Sequence, residues 1–404
     1  MNHLNTLLRE ASMDAPPHQF DLETVVGAGR SRVRRRRAVT GITVAAVVGV
    51  AASLAIVLPG GGDEPEPAAP PQVRVLTLDD AVAAEEGSDY EVLDTFTAHS
   101  TDEAGTGDFV RGVLADGTVV LQRYPNGWDG NTQIVLVGAD NTQVVEAPTR
   151  LGNYLGATDR ELVFGGVDDG VLLLDRERLI VRGVLKGRLF DPNHAVQTVS
   201  DGHGHLYLGG SPMADEPNRP LYDVDVDAGR ATELARGGHV AAYDGRVAWT
   251  DAYDGPVQAV TVRDERGGTT GFDPNTGDCV GKGIGITDQR VVLMSNCDDG
   301  AGDTEYTDAV TRIDILDLEG NPVARITGDE FGPVRMNDRF LTIASWNGEQ
   351  GGTYTYDVET GSFLQVTDAM SGLAGDETGV GSTVVWEERL DGETGATYVV
   401  ARMR

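Results

Sequence analysis

Between residues 90 and 404 the sequence repeats itself, and that repetition limits the fold more than any other feature. Short alternating apolar segments recur, each entered by a turn signal: DGTVVLQ, DRELVFG, DGHGHLYL, DGRVAWT, DQRVVLM, DRFLTIA and GSTVVWE. Their leading residues are Asp116, Asp159, Asp201, Asp244, Asp288, Asp338 and Gly381, at separations of 43, 42, 43, 44, 50 and 43. Five residues after each leader stand Leu121, Phe164, Leu206, Trp249, Leu293, Ile343 and Trp386, all apolar. At three residues after, Gly204 alone breaks the apolar series, in a repeat that carries an inserted HG. A fixed period of this length marks a chain built of stacked units, none of which can bury its faces alone.

Each unit carries a second hairpin. LLLDRERLIVRGVL, LYDVDVDAGRATEL, AVTVRDERGGTTGF, IDILDLEGNPVARI and YTYDVETGSFLQVT all place an Asp-containing turn between two alternating runs. Two hairpins make four strands per unit, the size of one propeller blade. The expected fold is therefore all-β: a β-propeller of seven four-stranded blades, with six blades and an irregular extra hairpin as the alternative. The units contain no helical pattern of ten or more residues, which disfavours a parallel α/β fold. TYVVARMR ends the sequence one strand short of a complete last blade, while YEVLDTFTAH (90–99) is an unpaired strand pattern. We expect 90–99 to form the outermost strand of the last blade and close the ring, which removes open strand edges.

The segments AAYDGRVAWTDAYDGPVQAVTVRDERGG and RPLYDVDVDAGRATEL resemble the repeats of TolB-like and WD40-like β-propellers, over about residues 90–404. That resemblance implies the fold and says little of function, since such propellers host unrelated roles. Most leaders lack the Ser-Pro that precedes them in the TolB pattern, and no separate N-terminal domain of the TolB kind is present, so Tol partners are not carried over. The layout of Arg-rich tail, apolar run, Pro-rich spacer and propeller resembles ectodomain proteins of high-GC Gram-positive bacteria.

That layout is read from the first 89 residues. Residues 38–58, AVTGITVAAVVGVAASLAIVL, contain no charge, and as a helix would span roughly 31 Å, about the hydrocarbon thickness of a bilayer. Six arginines between Arg30 and Arg37 precede them, and LPGGGDEPEP follows. This bias places the N-terminus in the cytoplasm and the body outside. The expectation is a single-pass signal anchor in the cell membrane, and the rival is a cleaved secretory signal with an unusually long n-region. The expected divisions are a basic cytoplasmic tail over 1–37, the membrane helix over 38–58, a Pro/Gly/acidic spacer with a short helix (76–87) over 59–89, and the extracytoplasmic propeller over 90–404. The formal net charge is −32, of which the tail contributes +3 and the remainder −35. So acidic a body argues against nucleic acid as a partner.

Candidate sites are few. Cys279 and Cys297 are the two cysteines, and reflecting Cys297 through the turn at Asp288–Gln289 lands near 280. The thiols should face each other as a structural disulfide, which suits an extracytoplasmic location. His203 and His205 form an H-x-H, with His194 upstream, but they lie in a turn without ligand-spaced acids, and no metal is assigned to them. Asp298, Asp299, Asp303, Glu305 and Asp308 form an acidic loop that could hold Ca²⁺ through hard oxygen ligands, although its spacing is not that of an EF-hand. Gly281-Lys282-Gly283-Ile284-Gly285 matches no phosphate loop and reads as a closely packed inner strand. Five residues before the leaders stand Arg111, Tyr154, Val196, His239, Gly283, Pro333 and Asp376. The polar four, Arg111, Tyr154, His239 and Asp376, would ring the axial channel if they point inward, and form the candidate ligand site. There is no G-x-S-x-G elbow and no H-E-x-x-H, so no catalytic residue or cofactor is assigned.

The functional expectation is a non-enzymatic binding module at the cell surface, with an extracellular protein or glycan as ligand. One alternative is a propeller hydrolase or lyase acting on cell-wall or environmental carbohydrate. The other is a transmembrane regulator that signals through its short cytoplasmic tail.

Overall fold

The computed structural model describes residues 73–404 outside the segments 100–106, 115, 127–131, 139–140, 147–150, 158–159, 167–169, 179, 187–196, 201–203, 210–218, 226, 254, 298–309, 333, 346–349, 370–381 and 389–394. Three strands come first: Arg74–Leu76 (β1), Val82–Ala83 (β2) and Tyr90–His99 (β3). Blade 1 is Gly107–Val113, Val119–Tyr124, Gln133–Gly138 and Asn141–Glu146 (β4 to β7). Blade 2 is Leu151–Ala157, Glu161–Gly166, Gly170–Asp175 and Val181–Lys186 (β8 to β11). Blade 3 is Gln197–Ser200, His205–Gly209, Arg219–Asp225 and Arg230–Gly237 (β12 to β15). Blade 4 is Val240–Tyr243, Arg246–Thr250, Val260–Arg263 and Thr269–Phe272 (β16 to β19). Blade 5 is Val280–Ile286, Arg290–Asn296, Val310–Asp317 and Pro322–Phe331 (β20 to β23). Blade 6 is Val334–Asn337, Phe340–Ser345, Gly352–Asp357 and Phe363–Thr367 (β24 to β27). Blade 7 pairs Thr383–Glu388 (β28) with Gly395–Met403 (β29), and β29 with β3.

The sequence repeat has a direct packing cause. Among the described residues the buried apolar side chains fall into seven clusters, one for each contact between neighbouring blades. The seven apolar residues five places after the leaders all face the preceding blade: Leu121 packs against blade 7, Phe164 against blade 1, and so on to Trp386 against blade 6. Residues one place earlier in the same strands, such as Val120, Val163 and Val292, face the following blade. A second strand buried on both faces needs an unbroken apolar run, and the alternation of its side chains distributes that run over two interfaces. The seven clusters settle the blade number at seven rather than six.

The turns are as local as the strands. Asp244 and Gly245 take φ of 45° and 76° between the paired ends Tyr243 and Arg246, the left-handed geometry that a two-residue hairpin requires and that Asp-Gly supplies. At the ends of the third strands, Asp175, Asp225, Asp264, Asp317 and Asp357 each turn a carboxylate oxygen onto main-chain N–H groups of the next turn, among them those of Glu177, Ala228, Arg266, Glu319 and Glu359. These Asp-capped turns are what the repeated second hairpin encodes.

Strand β3 closes the ring as expected. It pairs antiparallel with β29 from Tyr90↔Met403 to His99↔Gly395, and blade 7 then packs on blade 1 through Leu93, Phe96, Val385 and Val400. Residues 76–87, expected as a brief helix, depart from expectation. Leu78–Asp80 is a single 3-10 turn, and on either side β1 pairs parallel with β23 and β2 parallel with β27. Leu76 and Leu78 are drawn into the cluster between blades 5 and 6, which holds this segment extended along the rim. The expected membrane helix at 38–58 lies outside the described residues, and among the described ones no helix is long and apolar enough to cross a membrane.

Candidate functional site

In an antiparallel four-stranded blade the connections from first to second and third to fourth strand leave one end. Those from second to third strand, and onward to the next blade, leave the other. The first set is short here: two residues at 244–245 and two at 338–339. The second set includes the long ones, 210–218, 251–259, 273–279 and 297–309. The two faces of the ring are thus unequal, and the face with long connections is the candidate functional surface.

At blades 4 and 5 this surface is held by named contacts. Cys279, just before β20, is disulfide-bonded to Cys297, just after β21, with Cα atoms 4.3 Å apart. The bridge ties together the roots of the connections 273–279 and 297–309. The Cys297 N–H donates to Thr311 Oγ1 at 2.9 Å, and Arg312 Nη1 lies 3.6 Å from Cys279 Sγ. Beside it, His239 is buried, with Nε2 at 3.1 Å from the Tyr253 carbonyl oxygen and 3.2 Å from that of Gly281. Its ring stacks on Tyr253 at 4.3 Å, and the Gly281 N–H donates to the Gly255 carbonyl at 3.1 Å. The connection 251–259 is therefore fastened onto the innermost strand of blade 5.

Of the axial ring expected from sequence, Tyr154 and His239 are turned to neighbouring blades instead. Tyr154 is buried between blades 1 and 2 against Leu114, Ile134 and Phe164, so it faces a neighbouring blade and not the channel. His239 belongs to the inter-blade lattice just described. Arg111 is half-buried on the innermost strand of blade 1, where its Nε donates to Gln122 Oε1 at 2.9 Å and its guanidinium lies 5.2 Å from the Phe109 ring centroid. Asp376 lies outside the described residues, as do Asp298, Asp299, Asp303, Glu305 and Asp308. At Tyr154 the departure has a local cause. The inner strands bulge, between Val110 and Gly112, between Tyr154 and Gly156, and between Gly281 and Gly283. Each bulge shifts which side chains face which neighbour.

Close packing of the inner strand of blade 5 agrees with the reading of its glycines. A Cβ at Gly281 would lie 2.7 Å from Val257 Cγ2, and one at Gly283 would lie 2.9 Å from Met294 Sδ. Lys282 occupies the bulge between them, a placement no sequence period reveals. His205 is held by Asp223: its Nδ1 lies 2.6 Å from Asp223 Oδ1, and Arg263 of the next blade lies 3.5 Å from Oδ2. His194 and His203 lie outside the described residues. Among the described residues, no group of three or more His, Cys, Asp or Glu side chains is placed to hold a metal ion.

Sequence reading also missed a buried ionic cluster. Asp314 in β22 is nearly fully buried, with Arg312 Nε and Arg325 Nε each at 2.6 Å from its carboxylate oxygens. The signal was the Arg-x-Asp spacing within β22, which places both side chains on one face. Arg312 also lies 3.5 Å from the Thr276 carbonyl, so the cluster buttresses the disulfide-bonded connection.

No protein-family model and no curated protein matches the sequence. Among solved structures, the fold is similar to an oligogalacturonate lyase in complex with manganese (12% identity, TM-score 0.47, 80% of this chain and 98% of that one). It is also similar to a catalytically inactive variant of virginiamycin B lyase from Staphylococcus aureus with quinupristin (12%, 0.48, 77% and 100%). A third is oligogalacturonate lyase from Vibrio parahaemolyticus (12%, 0.48, 77% and 97%). At this identity and TM-score the likeness carries nothing about activity.

Proposed function

We propose that this protein is a membrane-anchored, extracytoplasmic seven-bladed propeller that works as a non-enzymatic binding module, and that it meets a positively charged protein partner through the face of long connections. The observation that carries the reading is the charge of that face. Apart from 368–382, the connections on that face together contain twenty Asp and Glu against three Arg (Arg150, Arg188 and Arg389) and no Lys. An acidic face on a rigid ring steers basic partners and repels acidic ones, and its on-rate falls with salt. The apolar, uncharged run at 38–58 with its arginine flank supports the anchor, and the disulfide accords with an oxidising compartment.

The test is site-specific photo-crosslinking on intact cells, with the probe at Glu305 in one variant and at Asp227, in a short turn of the opposite face, in another. Adducts from position 305 that weaken as ionic strength rises support the reading. Adducts from neither position, or turnover of a cell-wall polymer by the purified full chain, would replace it with the enzymatic alternative.

A further inference from the structure

The outer rims of blades 5 and 6 differ from the rest of the ring because the chain's own residues 74–84 lie across them. Strand β1 pairs parallel with Ala324–Ile326 of β23, and β2 with Leu364–Gln365 of β27. Leu76 and Leu78, two residues apart, are buried beside Ile326, Tyr354, Tyr356 and Phe363, whereas Val75 and Val82 are exposed by 58% and 66%. Polar contacts fasten the segment: Arg74 Nη1 donates to the Gly361 carbonyl at 3.2 Å, Gln350 Nε2 to Asp79 Oδ1 at 2.8 Å, and the Ala84 N–H to the Gln365 carbonyl at 2.9 Å.

Two observations separate this strap from the closing strand that follows it. Its ladders are three and two residues long, while β3 pairs with β29 over its whole length. A short ladder held by two apolar pegs opens more readily than a ten-residue strand paired along its length with β29. Under the strap, the edge of β27 also lacks the charge that guards β15. β15, an outer strand without a strap, exposes Arg230, Glu233 and Arg236 along its edge, whereas β27, FLQVT, has no charged residue; β23 carries Arg325, Asp329 and Glu330. An uncharged outer strand, once uncovered, stays competent to pair with another chain.

We propose that the rim of blades 5 and 6 is a strand-addition site, held here in cis by residues 74–84. In trans it accepts an extended peptide segment that runs parallel to β23 and carries two leucine-sized side chains two residues apart. Recognition divides as in other strand additions, with the main chain supplying pairing and the two pegs supplying selectivity. The site lies on the rim, so it stands independently of the acidic face.

The test uses the full chain in detergent micelles and a fluorescent peptide of residues 73–84, VRVLTLDDAVAA. Hydrogen exchange on the unmodified chain should show amides of 74–84 exchanging at least tenfold faster than those of β3 and β29. The Leu76→Ser/Leu78→Ser chain should bind the peptide at least tenfold more tightly than the unmodified chain, while a peptide with Asp at both leucines binds neither. Exchange of the strap and β3 as one cooperative unit would overturn the proposal. So would absence of peptide binding to the variant with β3 and β29 still protected. If the variant does not fold, the exchange ratio on the unmodified chain decides.

Discussion

Tyr90 packs edge-on against Trp386, their ring centroids 5.6 Å apart and their planes at 89°. Tyr90 opens the closing strand and Trp386 lies at the last of the seven repeated apolar positions, so this pair joins the earliest part of the ring to the latest. Trp386→Ala removes a side chain that is 2% exposed, and should cost about 3–5 kcal/mol of stability in denaturant unfolding. Tyr90→Phe keeps the ring contact and should cost less than about 1 kcal/mol. Equal losses from both would show that the edge-on packing is not what matters.

Glycine at 238 is required by the backbone it touches. A Cβ there would collide with the main chain of Ala252 and would lie 2.6 Å from the Tyr253 nitrogen. Gly238→Ala should therefore destabilise by about 1–3 kcal/mol. Gly271→Ala, whose Cβ would meet nothing closer than the Val260 carbonyl at 3.8 Å, should stay within about 0.5 kcal/mol. Thermal melts of the two variants side by side make the comparison.

The Cys279–Cys297 bridge closes a loop of sequence separation 18. Replacing both cysteines with serine should lower unfolding free energy by about 3 kcal/mol, and reductant should shift the unmodified protein by a like amount while leaving the double variant unmoved. A reductant effect on the serine variant would assign the shift to something other than the bridge.

Alkaline pH should weaken the contact of blades 7 and 1. Burial, with Glu387 and Asp108 nearby, pushes the Tyr398 phenol up to about 12, against about 10 in an unfolded chain. The folded state then holds this proton more tightly. The contribution is complete below about pH 10 and is lost as pH rises towards 12. Tyr398→Phe should lack this part of the alkaline decline, and the two melting curves should diverge only above pH 10.

In acid the group to watch is Asp116. Burial would raise its carboxyl, but the Thr118 N–H and hydroxyl and the Arg176 guanidinium outweigh that and hold it below the usual carboxylate range. Its contribution is present above the unfolded value of about 3.9, and is lost as pH falls through the lower folded value. Asp116→Asn should therefore be less stable than the parent at neutral pH, with the gap vanishing in strong acid.

The blade count could be read from sequence because one side chain per repeat, from Leu121 to Trp386, must meet the preceding blade. That demand imposes both the apolar identity and the spacing. Ring closure by 90–99 and the facing cysteines followed from the same register. The facing of Tyr154 did not, because an equal distance from a leader means an equal direction only in an unbroken strand, and His239 precedes the regular strand β16, held by contacts with Tyr253 and Gly281 that no spacing shows. Bulges beside Arg111, Tyr154 and Lys282 break that equivalence. The strap was hidden for another reason. RVL and VA are too short to show a period of two, and the burial of Leu76 and Leu78 comes from a groove that exists only after blades 5 and 6 have met.

Pairing β3 with β29 also sets an order of events. Synthesis makes residues 90–99 before any blade, yet their partners 395–403 arrive after six other blades have been made. Until then a ten-residue strand with Tyr90, Val92, Leu93 and Phe96 has no sheet to join. The longest-range pairing in the ring is thus its last to form, and the nascent chain carries an adhesive strand near its N-terminal end throughout its own production, when chaperones have most to guard.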